Sequence, residues 1–445
     1  MRSFPDNFLW GVSTSAHQFE GGTPPSQWLE WERAGRIRSR DCRGNACDWW
    51  VNAERDLDLC ESLGLNALRI SVEWSRIEPE RGKWNREAIE RYCTILREVR
   101  RRGMRPFVTL HHFTNPQWFE KRGGFTHPAG PGGFAVFAER AVECFGELCS
   151  DWVTFNEPNV YTAFGYLFGE FPPSKRMDLR AAMLALMGIH QGHALAYERL
   201  HAYQPQAQVG MAINYVAFEP ASRSVMDGWL ANVYHELFNL SSLYLLADGE
   251  LPRLWWLPKV RVPDAKGKCD FIGLNVYNRF HVSFPYPFGK DFGPGGLFVP
   301  PGAPQGDRGV DLPYGEAYPL VIRQAAESYA RLGKPMMVLE NGVPDREDRI
   351  RPWVMVNTLR EMGRLISEGH DLRGYFHWSL VDNFEWNEGW TLRFGLYELD
   401  TKTQERRARR SAELYRDIIA SNGLSQEADE FGELPGARRS NGKND

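Results

Sequence analysis

The chain has 445 residues, a formal net charge of −4, and 42% hydrophobic and 25% charged residues. These proportions exclude a disordered or collagen-like chain, and the near-neutral charge gives no reason to expect nucleic acid or an anionic membrane as a partner. The unusual figure is the aromatic content of 13%, which includes 16 Trp. It has two interpretations, core packing and the stacking of flat ligands such as sugar rings.

The beginning of the chain, MRSFPDNFLWGVSTS, lacks the apolar run behind a basic start that marks a secretory signal. No segment approaches the uncharged apolar length that a membrane span needs. The odd number of cysteines, seven, favours free thiols, and together these features predict a cytoplasmic protein. Neither a Cys-x-x-Cys pair nor a His-Glu-x-x-His motif occurs, so we expect no metal site.

Short apolar segments alternate with longer helical patterns along the chain. The predicted strands are 8–14, 67–73, 105–112, 151–157, 208–216, 271–278, 336–342 and 374–380. The predicted helices are 48–63, 85–102, 132–149, 178–204, 227–247, 316–332, 350–369 and 406–421. Near-continuous apolar strands are typical of parallel strands buried on both faces. The alternation therefore predicts an α/β fold, a single (β/α)8 TIM barrel with extended βα loops, over residues 1–423.

Two segments do not fit the alternation. Almost half of positions 285–313 are Gly or Pro, which neither a helix nor a central strand tolerates, so we expect a long loop there. Residues 424–445 are polar and predict a flexible C-terminal tail.

In such a barrel the catalytic groups lie where the strands finish. The residues near the predicted strand ends include His112, Asn156, Glu157, Asn275 and Glu340, and the loop after the last strand holds Glu385. Two glutamates on opposite sides of one rim suggest acid/base or nucleophilic work of the kind that glycoside cleavage requires. The alternative is that rim carboxylates form structural ion pairs with Arg69 or Arg76.

Several longer motifs occur in a fixed order: FLWGVSTSAHQFEG, LRISVEWSRIEPERG, WVTFNEP, FIGLNVYNR, VLENG and GYFHWSLVDNFEWNEGWTLRFGLYELD. With these motifs the chain resembles the family 1 glycoside hydrolases, the retaining β-glucosidase and β-glycosidase family, from about residue 4 to 421. The resemblance implies hydrolysis of terminal β-D-glucosides, with β-D-galactosides and β-D-fucosides as further substrates, by double displacement through a covalent glycosyl-enzyme. It implies no cofactor, and as partner only a small β-glycoside or an oligosaccharide.

The resemblance also implies individual roles. Glu157 would be the general acid/base and Glu340 the nucleophile, with the two carboxyl groups about 5–5.5 Å apart. Arg69 and Tyr277 would hydrogen-bond Glu340 and keep it ionised. Asn156 would contact the 2-hydroxyl, and Trp378 would form the stacking floor. The full set of implied sugar-binding residues is Gln18, His112, Asn156, Trp378, Glu385, Trp386 and Phe394.

Three positions qualify the resemblance. Phe113 stands where the family usually has Trp, so no indole N–H is available and recognition near the 3-hydroxyl should be altered. Glu73 stands where many members have an apolar or small residue, and it could pair with Arg76 or with another cation. Glu385 replaces the Ser typical of the 6-phosphoglycosidase branch, which favours a sugar with a free 6-hydroxyl.

Other function classes stay open at this point. A sugar-binding relative without catalysis usually loses one of the two glutamates, and both are present. A transglycosidase would use the same intermediate, and a metal-dependent barrel enzyme would lose activity on chelation. The glycine-rich stretch 130–135 mimics a dinucleotide motif, but no predicted strand precedes it. The sequence leaves the oligomeric state open.

Overall fold

The computed structural model describes residues 2–252, 259–284 and 294–435. Its centre is a closed barrel of eight parallel strands, in which each strand pairs with the next and the last pairs with the first. The strands are β1 (Leu9–Ser13), β2 (Ala67–Ser71), β3 (Arg105–His111), β4 (Asp151–Asn156), β5 (Gln208–Pro220), β6 (Phe271–Val282), β7 (Met336–Asn341) and β8 (Leu372–His377). The predicted (β/α)8 barrel is confirmed.

Large apolar side chains fill the inside of the barrel. A closed cluster there contains Phe107, Phe271, Leu339 and Phe376. Glycines on neighbouring strands make room for these side chains: a Cβ at Gly11 would lie 2.4 Å from the Phe376 ring. The inside of the barrel is therefore a packed core rather than a pore.

Helices surround the barrel, with a second and larger core between the two layers. They are α1 (Trp49–Ser62), α2 (Arg86–Arg101), α3 (Gly130–Phe145), α4 (Leu179–Tyr203), α5 (Val225–Tyr234), α6 (Ser241–Asp248), α7 (Val321–Tyr329), α8 (Arg351–Ser367) and α9 (Arg410–Ala420). Side-chain caps fix the start of some of them: Asn85 accepts from the N–H of Ala88 at the start of α2, and Asp178 accepts from Ala181 at the start of α4.

Three predicted helices differ from those observed. The helix predicted at 227–247 is divided by a π-helical turn, His235–Asn239, between α5 and α6. The helix predicted at 316–332 is shorter, because Glu316–Ala317 pairs with β6 before α7 begins. The helix predicted at 406–421 begins only at Arg410, because Arg406–Ala408 pairs antiparallel with Tyr397–Leu399.

Short elements lie in the loops between the main ones. They are the α-helices Ala16–Phe19, Gln27–Arg33, Trp74–Ile77, Gln117–Glu120, Pro158–Thr162 and Gln426–Asp429, the π-helix Ala163–Phe168, and the two-residue strand Leu297–Phe298. The last of these pairs with β6, inside the long loop predicted at 285–313. Residues 285–293 of that loop lie outside the described residues.

The first residues of the segment predicted as a tail have regular structure. Gly423–Leu424 pairs with Arg2–Ser3, and a helical turn follows at Gln426–Asp429. Asp429 accepts a hydrogen bond from Arg360 of α8, so the segment is anchored on the outer layer. Residues 436–445 lie outside the described residues.

In the described ranges, no helix has the length and the apolar character needed to cross a bilayer. All seven cysteines are free thiols, and five of them are buried.

Two arginines near the end of the chain form buried ion pairs with distant residues. The side chains of Arg406 and Asp56 are 4% and 0% exposed, and those of Arg409 and Asp382 are 6% and 1% exposed. Arg409 donates through both Nη atoms to the two oxygens of Asp382, at 2.9 and 2.8 Å. Asp382 lies in the loop after β8, so the pair fixes that loop to the outer layer.

We expect Arg409→Ala to lower the free energy of unfolding by about 3–5 kcal/mol, because it leaves the Asp382 carboxylate buried without its cation. Urea unfolding followed by tryptophan fluorescence measures the change. The matched control is Arg407→Ala, whose partner Glu405 is exposed and whose effect should stay below about 1 kcal/mol. An equal loss of unfolding free energy in Arg409→Ala and Arg407→Ala would show that burial does not strengthen the Arg409–Asp382 pair.

Candidate active site

Polar side chains from four strands meet at the carboxyl-terminal end of the barrel, here called the rim. Arg69 comes from β2, Asn156 and the following Glu157 from β4, Asn275 and Tyr277 from β6, and Glu340 from β7. All of these side chains are buried. Parallel strands bring their carboxyl ends to one edge, so residues far apart in the sequence share one site.

The backbone is irregular where it presents the two glutamates. The β4–β5 register shifts between Val153 and Asn156, and the β6–β7 register shifts between Val338 and Glu340. Such shifts redirect side chains that regular pairing would point elsewhere. Glu157 also has a left-handed backbone with φ of 48°, held by its N–H bond to the carbonyl of Ala212. Strain of this kind concentrates at functional sites.

Both carboxylate oxygens of Glu340 accept hydrogen bonds from strong donors. Arg69 donates from Nη1 to Oε1 at 2.5 Å, and the Tyr277 hydroxyl donates to Oε2 at 2.7 Å. The other nitrogens of Arg69 donate to Asn156 at 2.6 Å and to Thr109 at 2.9 Å. The guanidinium is therefore immobilised, and it fixes the orientation of Glu340.

Glu157 has a different set of neighbours. Its Oε1 accepts from the amide nitrogens of Asn275, at 2.8 Å, and Asn214, at 3.0 Å. The Asn275 amide also donates to the Asn156 oxygen that Arg69 contacts. The two glutamates are thus joined by a chain of hydrogen bonds, in which the cation contacts only Glu340.

These surroundings give the two carboxyl groups different affinities for a proton. Burial raises the pKa of Glu157 to about 8, and the negative charge of Glu340 adds to the increase. Burial also raises the pKa of Glu340, but the Arg69 charge and the Tyr277 hydroxyl act in the opposite direction. In this pair the proton resides on Glu157 and the charge on Glu340.

A third carboxyl group lies across the cavity. Glu385 accepts from the amide nitrogen of Gln18 at 2.9 Å, and that amide also donates to Asn383 at 2.8 Å. Burial raises the pKa of Glu385 to about 8, followed by the effect of the negative charge of Glu340. Glu385 is therefore mainly protonated at neutral pH and can both donate and accept hydrogen bonds.

Aromatic rings and one neutral histidine complete the inner wall. His112 lies between Trp378 and Trp386, with ring centroids 6.0 and 5.9 Å away and nearly parallel planes. The amide of Asn156 donates to Nε2 of His112 at 3.0 Å, so the ring proton is on Nδ1. Burial lowers the pKa of His112, and the Arg69 charge adds to that effect. Nδ1 is buried and has no partner among the described residues.

These groups surround a cavity of about 280 Å³. The predicted residues on its wall are His112, Asn156, Glu157, Tyr277, Glu340, Trp378, Glu385 and Trp386. Gln18 and Arg69 act from behind the wall through Glu385 and Glu340. Phe394, predicted to bind sugar, also lies behind the wall, where its ring packs on Tyr277 and Tyr314 at 6.2 and 5.1 Å.

Sequence reasoning missed the amide of Asn214 and gave no role to Asn275. Asn214 lies inside the apolar run QVGMAINYV, and both side chains hold the proton-bearing Glu157. An Asn in an otherwise apolar strand was the available signal, since a buried amide requires a partner.

Two of the three positions that qualify the resemblance, Glu73 and Phe113, have clear surroundings. Glu73 does not pair with Arg76, which binds Glu20 at 2.9 Å. Instead its carboxylate accepts from the hydroxyls of Ser75 and Thr114 and caps the helix Trp74–Ile77. The Phe113 ring lies 5.1 Å from that of Trp386 and occupies the wall without a polar contact from its side chain.

Within the described residues, no group of three or more His, Cys, Asp or Glu side chains could hold a metal ion. Two histidines, His190 and His193, lie three residues apart on α4, and both have protein partners. His190 contacts the carbonyl of Leu186, and His193 contacts Thr154 and the carbonyl of Lys268. The glycine-rich stretch at 130–135 begins α3, and a 3-10 turn rather than a strand precedes it.

A closed barrel with paired buried carboxyl groups at its rim defines a barrel enzyme, and comparison with known proteins identifies its family. Residues 1–424 match the profile described as Glycosyl hydrolase family 1. The chain is 30% identical to beta-glucosidase A of Thermotoga maritima over 95% of this chain and 99% of that one. It is 31% identical to a beta-galactosidase of Sulfolobus acidocaldarius over 98% and 99% of the two chains.

Solved structures agree with the sequence comparison. A beta-glycosidase from Pyrococcus horikoshii has a TM-score of 0.86 at 33% identity, covering 97% of this chain and 98% of that one. A Thermotoga maritima beta-glucosidase in complex with glucoimidazole has a TM-score of 0.86 at 29% identity, covering 95% and 100%. The chain therefore belongs to glycosyl hydrolase family 1 and is a glycoside hydrolase.

The raised pKa of Glu157 predicts how stability depends on pH. Between its ordinary pKa of 4.5 and the folded value of about 8, the folded protein keeps a proton that the unfolded chain releases. The stability that this proton contributes is complete below about pH 4.5 and is lost as the pH rises through about 8. The glutamine side chain in Glu157→Gln cannot ionise, so the variant does not lose this stability as the pH rises.

We therefore expect Glu157→Gln and the wild type to melt at similar temperatures near pH 4, and the variant to melt higher near pH 9. Thermal unfolding by circular dichroism across this range measures the difference. Glu143→Gln, on the outer helix α3, is the control and should show no such divergence. A difference between variant and wild type that does not change with pH would contradict the raised pKa.

Proposed function

We propose that the protein is a retaining β-glycosidase that hydrolyses terminal β-D-glucosides, and also β-D-galactosides and β-D-fucosides. The observation that carries the proposal is the unequal environment of the two buried glutamates. Glu340 is bound by a guanidinium and a phenol, whereas Glu157 is bound by two amides and has a pKa of about 8. One group is prepared to act as a nucleophile and the other as an acid.

In the first step Glu340 attacks the anomeric carbon, and the bond between that carbon and the glycosidic oxygen breaks. Glu157 gives its proton to the departing oxygen, which leaves as an alcohol. The sugar is then bound to Glu340 as an ester. Glu157 is ionised in this intermediate because it has given up its proton, and loss of the Glu340 charge removes the second cause of its raised pKa after burial.

In the second step Glu157 takes a proton from water, and the water oxygen attacks the anomeric carbon. The ester bond to Glu340 breaks, and its carboxylate returns to Arg69 and Tyr277. Two displacements at one carbon retain the β configuration. Atoms balance over the cycle: one glycosidic bond and one water give a free sugar and an alcohol.

The polar inner wall supports a sugar with unmodified hydroxyl groups. His112, Asn156 and Glu385 present donors and acceptors, and Trp378 and Trp386 present ring surface. Glu385 supports a free 6-hydroxyl, because its carboxyl group can both donate a hydrogen bond to a hydroxyl group and accept one from it. Relatives named for both glucosides and galactosides support a substrate range that includes both sugars. The seven free cysteines support a cytoplasmic location.

Glu340→Ala should lose nearly all turnover of p-nitrophenyl β-glucoside, because among the described residues Glu340 is the carboxylate that Arg69 and Tyr277 hold. Added azide should restore turnover and give the glycosyl azide of α configuration, since a single displacement inverts the anomeric carbon. Product analysis by NMR measures both results. Glu143→Ala is the matched control on the outer surface. Wild-type turnover in Glu340→Ala would exclude Glu340 as the nucleophile.

Glu157→Ala should lower the rate on alkyl β-glucosides by roughly 10²–10⁴-fold, the usual contribution of acid/base catalysis. Aryl glucosides with good leaving groups should lose far less in the glycosylation step, because the departing oxygen needs little protonation. The kcat/KM values for p-nitrophenyl and methyl β-glucoside provide the comparison. An equal loss on both substrates would refute the acid role.

A further inference from the structure

The strand β5 carries a line of cavity-facing residues outward from Glu157. Asn214 contacts the Glu157 carboxyl group, and Val216 and Phe218 follow at alternate positions on the same strand and also line the cavity. Alternate residues of a strand share a face and advance by about 6.6 Å. The proton of Glu157 goes to the leaving group, so this line of residues is on the aglycone side of the scissile bond.

Further rings continue this surface on both sides of Phe218. Phe238 lies with its ring 5.8 Å from that of Phe218, and Phe280 of β6 is the register partner of Phe218. Phe164 and Phe168, from the π-helix Ala163–Phe168, also line the cavity. The six residues Phe164, Phe168, Val216, Phe218, Phe238 and Phe280 are here called the apolar wall.

The polar side chains near the apolar wall are already bound to protein. Arg38 is paired with both Glu170 and Glu388. Asn387 accepts from the Trp31 indole at 2.9 Å and donates to the carbonyl of Glu170 at 2.8 Å.

Tyr234 and Asn278 are bound in the same way. Tyr234 donates to the carbonyl of Gly295 at 2.6 Å, and Asn278 donates to the carbonyl of Tyr314 at 2.7 Å. The Asn278 carboxamide oxygen is left as an acceptor. A second sugar ring would bring several hydroxyl groups to this surface, and most of them would lose water against the rings and the valine without gaining a partner.

We propose that the apolar wall binds an alkyl or aryl aglycone, and that the preferred substrates are apolar β-glycosides rather than disaccharides. The inference rests on the proposed function, because Glu157 as the acid defines which side of the cavity receives the leaving group. Val216 and Phe218 are then specificity-determining residues, since they connect the acid to the outer part of the wall.

The test is a binding series of S-alkyl thio-β-glucosides from methyl to octyl, which need no turnover. Affinity, measured by calorimetry below micelle-forming concentrations, should rise roughly two- to fourfold for each added methylene until the wall is covered. Val216→Thr keeps the side-chain shape and adds a hydroxyl group, and Phe218→Asn removes the ring. Both should reduce the ratio of octyl to methyl affinity, whereas the outer-helix variant Val136→Thr should preserve it.

A flat series in the wild type overturns the inference, as does tighter binding of thiocellobiose than of octyl thioglucoside. If the ratio of octyl to methyl affinity is unchanged in both Val216→Thr and Phe218→Asn, these two residues do not bind the alkyl group. Hydrolysis of p-nitrophenyl β-glucoside is measured in parallel. If the enzyme hydrolyses p-nitrophenyl β-glucoside but its affinity does not rise with alkyl length, only the inference about the apolar wall is refuted. If affinity rises with alkyl length but no hydrolysis occurs, only the proposed function is refuted.

Discussion

The buried guanidinium of Arg69 is the constraint on which the rest of the site depends. It is fully buried in the barrel and donates to Thr109, Asn156 and Glu340 at the same time. A permanent cation in such a place costs several kcal/mol of desolvation unless an anion and fixed acceptors surround it. The neighbouring strands supply these partners, so the position of the cation fixes the orientation of Glu340 and Asn156 together.

One cation and three buried carboxyl groups also determine the charge of the site. Arg69 stabilises the ionised form of Glu340, and the charge of Glu340 in turn raises the pKa values of Glu157 and Glu385. A single ionised carboxylate at neutral pH is the arrangement that this balance favours. Burial is the larger cause of both raised pKa values, and chemistry that neutralises Glu340 removes the second cause, so protonation at one side of the cavity is coupled to bonding at the other.

The sequence predicted the barrel because buried parallel strands leave continuous apolar runs, and β1 to β8 all correspond to such runs. Glu157 and Glu340 could also be predicted, since each occupies a short motif at a strand end. The amide of Asn214 and the place of Phe394 behind Tyr277 could not, because they depend on which face of a strand or loop points inward. The same is true of the buried pairs of Arg406 and Arg409, whose partners Asp56 and Asp382 are remote in the sequence. The basic segment at 406–410 contains both of these arginines, and the sequence alone does not show which arginines are solvated and which form buried ion pairs.

The seam between β8 and β1 has a consequence for how the protein is made. Gly374 of β8 pairs with Leu9 of β1. The first barrel strand to be synthesised therefore lacks this partner until the last one has been synthesised, and only then can the sheet close. Until then the growing chain has two unpaired sheet edges, which can pair with other chains. Trp378, whose ring stacks with that of His112, follows β8 and arrives equally late. Closure and completion of the cavity therefore coincide, and an incomplete barrel exposes its edges before it has a finished site.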